Sequence, residues 1–147
     1  MRNSPDFSES IENNETPKTV LDYLESMNAT ILNDYRTPDG QYSEHCGLIA
    51  IDLAKLFIAF GKEPYIMKVS EYIHKNGSIH SKSLNPLVYE DRVSWGAHQV
   101  CCCGDEAFDP IVGKPISINQ YTQTVFGESI NMEILIPKNL IREFVSR

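Results

Sequence analysis

The 147-residue chain contains no apolar run near the roughly eighteen residues that a membrane span requires, and no cluster of lysines and arginines. The first absence excludes a helical membrane anchor within these residues. The second, joined to a net charge of −7, argues against nucleic acid as a partner, because phosphate binding rests on grouped cations that displace counterions. Met1 to Glu15 is polar and holds no apolar stretch of the kind a secretory signal needs, so a cytoplasmic location is expected, with export by a signal-independent route also compatible. Cysteines are few. Three of the four are adjacent, Cys101, Cys102 and Cys103, and alternate residues of a strand point to opposite faces, which makes a poor disulfide framework. Reduced thiols in a reducing compartment fit better. There is no internal repeat.

What is present is an ordinary globular composition, 41% apolar and 22% charged, of a length that one domain with one active site accommodates. Residues 1–15 are rich in Ser, Asn and Glu, a composition that cannot offset the entropy of ordering, so a disordered tail is expected before a single catalytic domain over 16–147. Thr16 and Pro17 form a helix-start signal, and Val20, Leu24, Met27 and Ile31 then recur at helical spacing up to Asn33 or Asp34. A turn is expected at Thr37 to Gly40. From Cys46 to Phe60 only Asp52 and Lys55 carry charge, which predicts a helix buried nearly all round and closed by Gly61. Strands are expected at Pro64 to Val69, Val93 to Cys103, Glu106 to Val112 and Met132 to Ile136, with helices over Asn119 to Phe126 and from Pro137 onward. Ser70 to Arg92 is mixed, with Asn76, Gly77 and Pro86 as turn markers. The sum is an α+β pattern, helices first and an antiparallel sheet after.

Within that pattern one constellation carries chemistry. A thiolate is favoured at a helix N-terminus by unpaired backbone N–H groups and the dipole, and Cys46 opens the predicted central helix. Its own N–H is then a candidate oxyanion donor, and Gly47 leaves room for a substrate to approach. A two-residue turn at Gly104 and Asp105 pairs Cys103 with Glu106, which sets His98 and Asp109 on one side of the hairpin as diagonal neighbours roughly 7–8 Å apart. A slip of one residue would separate them to opposite faces. In this register a carboxylate orients the imidazole and the imidazole accepts the thiol proton.

The segments EHCGLIAIDLAKLF, WGAHQVCCCGDEAFDP and GKPISINQYTQTVFG resemble the core of papain-like and transglutaminase-like cysteine enzymes, a group that includes arylamine acetyltransferases and bacterial glutamine deamidases. The resemblance spans Gln41 to about Phe126. It implies a papain-like core in which a buried nucleophile helix packs on an antiparallel sheet, with Cys46 as nucleophile, His98 as base and Asp109 as its orienting group. It also makes Gln41 a candidate oxyanion-hole glutamine, five residues before Cys46 where the papain spacing is one longer. Trp95 is a candidate roof or rim of the site. The chain is short for a papain-type peptidase and lacks the second half of such a cleft. The implied activity is hydrolysis or transfer of an amide or acyl group through a thioester, on a protein or peptide amide, with no cofactor and no metal. Glutamine deamidation of a protein is the specific version; a small peptidase or cell-wall amidase is the alternative.

Each residue also has a plainer reading. A cysteine at a helix start is often a small hydrophobe, a strand histidine often bonds backbone, and Asp109 with Pro110 is often a turn. His45 points away from Cys46 as its chain neighbour, and His74 and His80 fall in a polar loop. The Cys101 to Cys103 run lacks the two-residue gap that lets zinc sites fold two thiolates inward. Tyr121 and Phe126 read as packing residues. Two other classes remain open, a silent binding module of the same fold and a thiol or metal sensor built on the cysteine run. Substrate identity and oligomeric state are not written in these motifs.

Overall fold

The computed structural model describes residues 15–34, 42–70, 79–80, 94–95, 97–127 and 129–146. Helix α1 (Lys18–Asp34) begins where expected, with the Pro17 carbonyl accepting the amides of Val20 and Leu21 at 3.0 and 3.2 Å, and it buries Val20 and Leu24. Helix α2 (Tyr42–Ala59) begins four residues before Cys46. The central helix therefore does not open at Cys46, as the apolar pattern suggested; that residue lies in the second turn. Gly61, at φ 77°, ends the helix in the left-handed conformation that glycine tolerates, and the Lys62 amide closes back on the Phe57 carbonyl at 3.0 Å. Nor is α2 buried all round. Ile49, Ala50, Leu53, Ala54 and Phe57 face the core, while Leu48, Asp52 and Lys55 are exposed.

Five antiparallel strands form the main sheet in the order β6-β5-β4-β1-β7: β1 (Tyr65–Ser70), β4 (Ala97–Cys103), β5 (Glu106–Phe108), β6 (Pro115–Ser117) and β7 (Glu133–Ile136). A separate pair joins β2 (Ile79–His80) to β3 (Ser94–Trp95), so the run from Val93 to Cys103 is two strands rather than one. Helices α3 (Ile118–Phe126) and α4 (Ile141–Val145) complete an α+β architecture. One apolar core joins α1, α2, β1, β4, β5, α3 and α4.

The hairpin register matches the sequence expectation: Cys103 pairs with Glu106, Cys102 with Ala107 and Cys101 with Phe108. Beyond Phe108 the returning strand stops, short of the Val112 expected. Pro110 has no amide to donate to a ladder, the Asp109 carboxylate accepts the Ile111 amide at 2.9 Å, and the amides of Val112 and Gly113 turn back onto the Asp109 carbonyl. The strand β6 that follows was not expected, being three residues with a proline at its start.

Strand alternation assigns the two faces of the sheet. Phe108 meets Phe57 of α2 edge-on at 4.7 Å, so its partner Cys101, and Gln99 two residues before, face α2. His98, Val100 and Cys102 face the other way, where His98 meets Phe126 of α3 edge-on at 5.9 Å. The tail over 1–14, the turn over 37–40, Gln41, His74, Asn76, Gly77 and Pro86 lie outside the described residues, as do the side chains of His45, His80 and Trp95. Among the described residues no helix is long and apolar enough to cross a membrane, and no group of three His, Cys, Asp or Glu side chains is arranged to hold a metal ion.

Candidate active site

Asp109 is held from three directions. Its Oδ1 accepts the Ile111 amide, and its Oδ2 accepts both the His98 imidazole, Nε2 to Oδ2 2.7 Å, and the Tyr121 hydroxyl. All of this is buried: His98 is 0% exposed, Asp109 1% and Tyr121 0%. The turn that carries Asp109 is clamped from α1, because the Asn28 amide donates to the carbonyls of Pro110 at 2.9 Å and Ile111 at 3.1 Å. Gly113 makes this clamp possible, since a Cβ there would come within 3.0 Å of the Asn28 side chain. Helix α3 is set against the hairpin by the Ile118 amide donating to the Asp105 carbonyl, with Ser117 capping and Gly127 terminating it. That placement aims Tyr121 at Asp109.

On the other side of His98 is Cys46, 7% exposed and close enough for thiol and imidazole to shift each other's pKa. With Nε2 taken by Asp109, Nδ1 is the nitrogen left for the thiol. The electrostatics follow from burial set against these partners. Burial raises the Cys46 pKa, but the hydrogen bond and charge of His98, with the Gln99 backbone amide, outweigh it and hold the thiol below its ordinary value of 9.0. Burial lowers His98, yet the charge and hydrogen bond of Asp109, aided by Cys46, push it up to about 10. Burial raises Asp109, and the charge of His98 with the bonds from His98, Tyr121 and Ile111 brings it below the usual 3.8. In each site group the charge and hydrogen bond of its neighbour oppose the effect of burial.

The other three thiols move the opposite way. Burial lifts Cys101 well above 9.0, Cys102 to about 12, and Cys103 upward despite the Glu63 backbone bond and the Lys62 charge. All four cysteines are free. Among them Cys46 alone has its pKa lowered.

Cys46 also lines a cleft of about 1080 Å³ between α2 and the C-terminal helix, walled by Leu48, Ile51, Leu135, Leu140 and Phe144, with Lys55 and Glu143 at its sides. Leu48, Leu140 and Phe144 are exposed there. Gly47 lines the same cleft, and the Gln99 side chain lies against it. Because α2 starts at Tyr42, the Cys46 amide falls within the helical ladder on the Tyr42 carbonyl, and is not one of the unpaired donors that the sequence suggested.

The sequence singled out Cys46, His98 and Asp109, which the fold sets side by side. It gave Tyr121 only a packing role and did not single out Asn28 or Gln99. The signal for Tyr121 was available: a hydroxyl-bearing ring at helical spacing with the apolar Val125 on one face of a short helix. No family model matches the sequence, no curated protein is similar to it, and no solved structure matches the fold.

Proposed function

We propose that this protein is a cysteine hydrolase or acyl/amide transferase with a papain-like core, working through a thioester on Cys46. The observation that carries the reading is the buried His98–Asp109 pair, Nε2 to Oδ2 2.7 Å, with Cys46 beside it; the lowering of the Cys46 pKa by His98, while burial raises the other three thiols, agrees. In this mechanism the thiolate adds to an amide carbonyl, and His98 gives its proton to the departing nitrogen as the C–N bond breaks. The neutral imidazole then takes a proton from water, or from an acceptor nucleophile, which releases the acyl group from sulfur. Asp109 keeps the ring oriented throughout and stabilises its charged form. No step requires a cofactor.

The specific version is deamidation of a glutamine side chain on a protein, in which ammonia is the departing group. A second reading, cleavage of a peptide or cell-wall amide, draws support from the open apolar cleft beside Cys46, which suits a chain segment better than a lone polar side chain. The two separate on product: incubation with glutamine-rich casein releases ammonia in the first and new amino termini in the second.

The test of the shared step is alkylation by iodoacetamide from about pH 4 to 9, read cysteine by cysteine by peptide mass spectrometry, on the wild type and on His98→Ala. Cys46 is expected to react fastest, with a midpoint below the free-thiol value of about 8.5, and the variant to shift that midpoint upward. Labelling of Cys46 no faster than Cys103, or indifferent to His98, would turn the reading to a binding module of the same fold.

A further inference from the structure

We propose that the side-chain amide of Gln99 donates the hydrogen bond that stabilises the oxyanion formed when the Cys46 thiolate adds to a carbonyl. The role rests on reading Cys46 as an acyl-accepting nucleophile, and it fills a gap which that reading leaves. As the S–C bond forms, the carbonyl π pair moves onto oxygen, and that charge needs a donor aimed at it. The Cys46 amide is engaged within α2.

Gln99 is the next candidate by position. It follows His98 on β4 but faces α2, with its side-chain amide beside Gly47, the residue after Cys46. Its backbone amide is among the groups that lower the Cys46 pKa, which places the residue beside the nucleophile. The side-chain amide lies against Gly47: a Cβ there would be 3.1 Å from Oε1 and 3.3 Å from both Cδ and Nε2. Glycine at 47 is what gives the amide its seat. Gln99 is partly exposed and lines the same cleft as Cys46 and Gly47, so a carbonyl arriving at the thiol arrives beside this amide. Oε1 and Nε2 both lie on the Gly47 side, and a half-turn of the last side-chain torsion exchanges them. A neutral amide can bind the oxyanion without disturbing the thiolate before attack, as a cation or carboxylate would.

Two reactions of the same sulfur test this. Acylation by p-nitrophenyl acetate passes through an oxyanion and then expels p-nitrophenolate; alkylation by iodoacetamide displaces iodide at a saturated carbon and forms none. Gln99→Met and Gln99→Leu both remove the donor at a partly exposed position. With acetyl transfer to Cys46 read by mass spectrometry, acylation is expected to fall about 10²–10³-fold in both variants while alkylation stays within about threefold of wild type. Acylation that is unchanged, or that falls in parallel with alkylation, overturns the role of Gln99 while leaving Cys46 as nucleophile. A wild type that alkylates at Cys46 but is never acylated there overturns the thioester reading and this role with it.

Discussion

Replacing Tyr121 by phenylalanine removes one oxygen from the buried network and little else, since the ring keeps its edge-on contact with Phe126 at 6.2 Å. Among the described residues, the lost hydroxyl is one of three donors to Asp109, a carboxylate only 1% exposed. A hydrogen bond to a charged group contributes about 1.5–3 kcal/mol, so Tyr121→Phe is expected to lose that much at neutral pH. With a urea slope of about 2 kcal/mol/M, the midpoint falls by roughly 1 M. The pH dependence identifies the acceptor. Asp109 has its folded pKa held below 3.8, so its ionised bonds stabilise the fold above the unfolded value and are lost as pH falls through the folded one. The deficit of the variant should thus be full at neutral pH and shrink below about pH 4, where wild type surrenders the same contribution. Urea unfolding followed by far-UV circular dichroism at pH 7 and at about pH 3 measures both. A deficit under about 0.5 kcal/mol at pH 7, or one of equal size at both pH values, refutes the bond to an ionised Asp109.

Asp109→Asn keeps the shape but removes the charge that lifts His98, so the Cys46 alkylation midpoint should move up toward the ordinary thiol value; an unmoved midpoint means Asp109 does not act through His98. Asn28→Ala frees two carbonyls of the turn carrying Asp109 and should cost about 1–3 kcal/mol in chemical denaturation. Gly47→Ala crowds the Gln99 amide by a few tenths of an ångström, and acylation of Cys46 should suffer more than alkylation. Phe57→Ala leaves a void where α2 meets Phe108, with an expected loss of about 3–5 kcal/mol in the same unfolding assay.

The hairpin was legible because a two-residue turn fixes parity, and parity alone puts His98 and Asp109 on one side. The end of β5 was legible too in principle, since Asp109 and Pro110 are poor strand residues, but the apolar Ile111 and Val112 argued for continuing. Their side chains pack on the core from a turn, which a period-two pattern does not distinguish from a strand. The start of α2 was missed for a different reason. Tyr42, Ser43, Glu44 and His45 carry no apolar periodicity, and helical residues without an apolar stripe leave no trace in a hydrophobic pattern. Gln99 and Asn28 act through contacts with Gly47 and with the turn at Pro110 and Ile111, and separations of 52 to 83 residues along the chain cannot be read from one sequence.

The dryness of His98 and Asp109 has a consequence for how salt acts on the protein. Counterions screen charges they can approach, over about 8 Å at physiological ionic strength, and leave enclosed pairs largely unscreened. On the proposed mechanism, activation of Cys46 by its partners is then a property of the fold that salt alters little. What salt does alter is arrival, because a net charge of −7 repels anions from the surface. Uncharged iodoacetamide should react at a rate indifferent to ionic strength, whereas iodoacetate should speed up as salt rises.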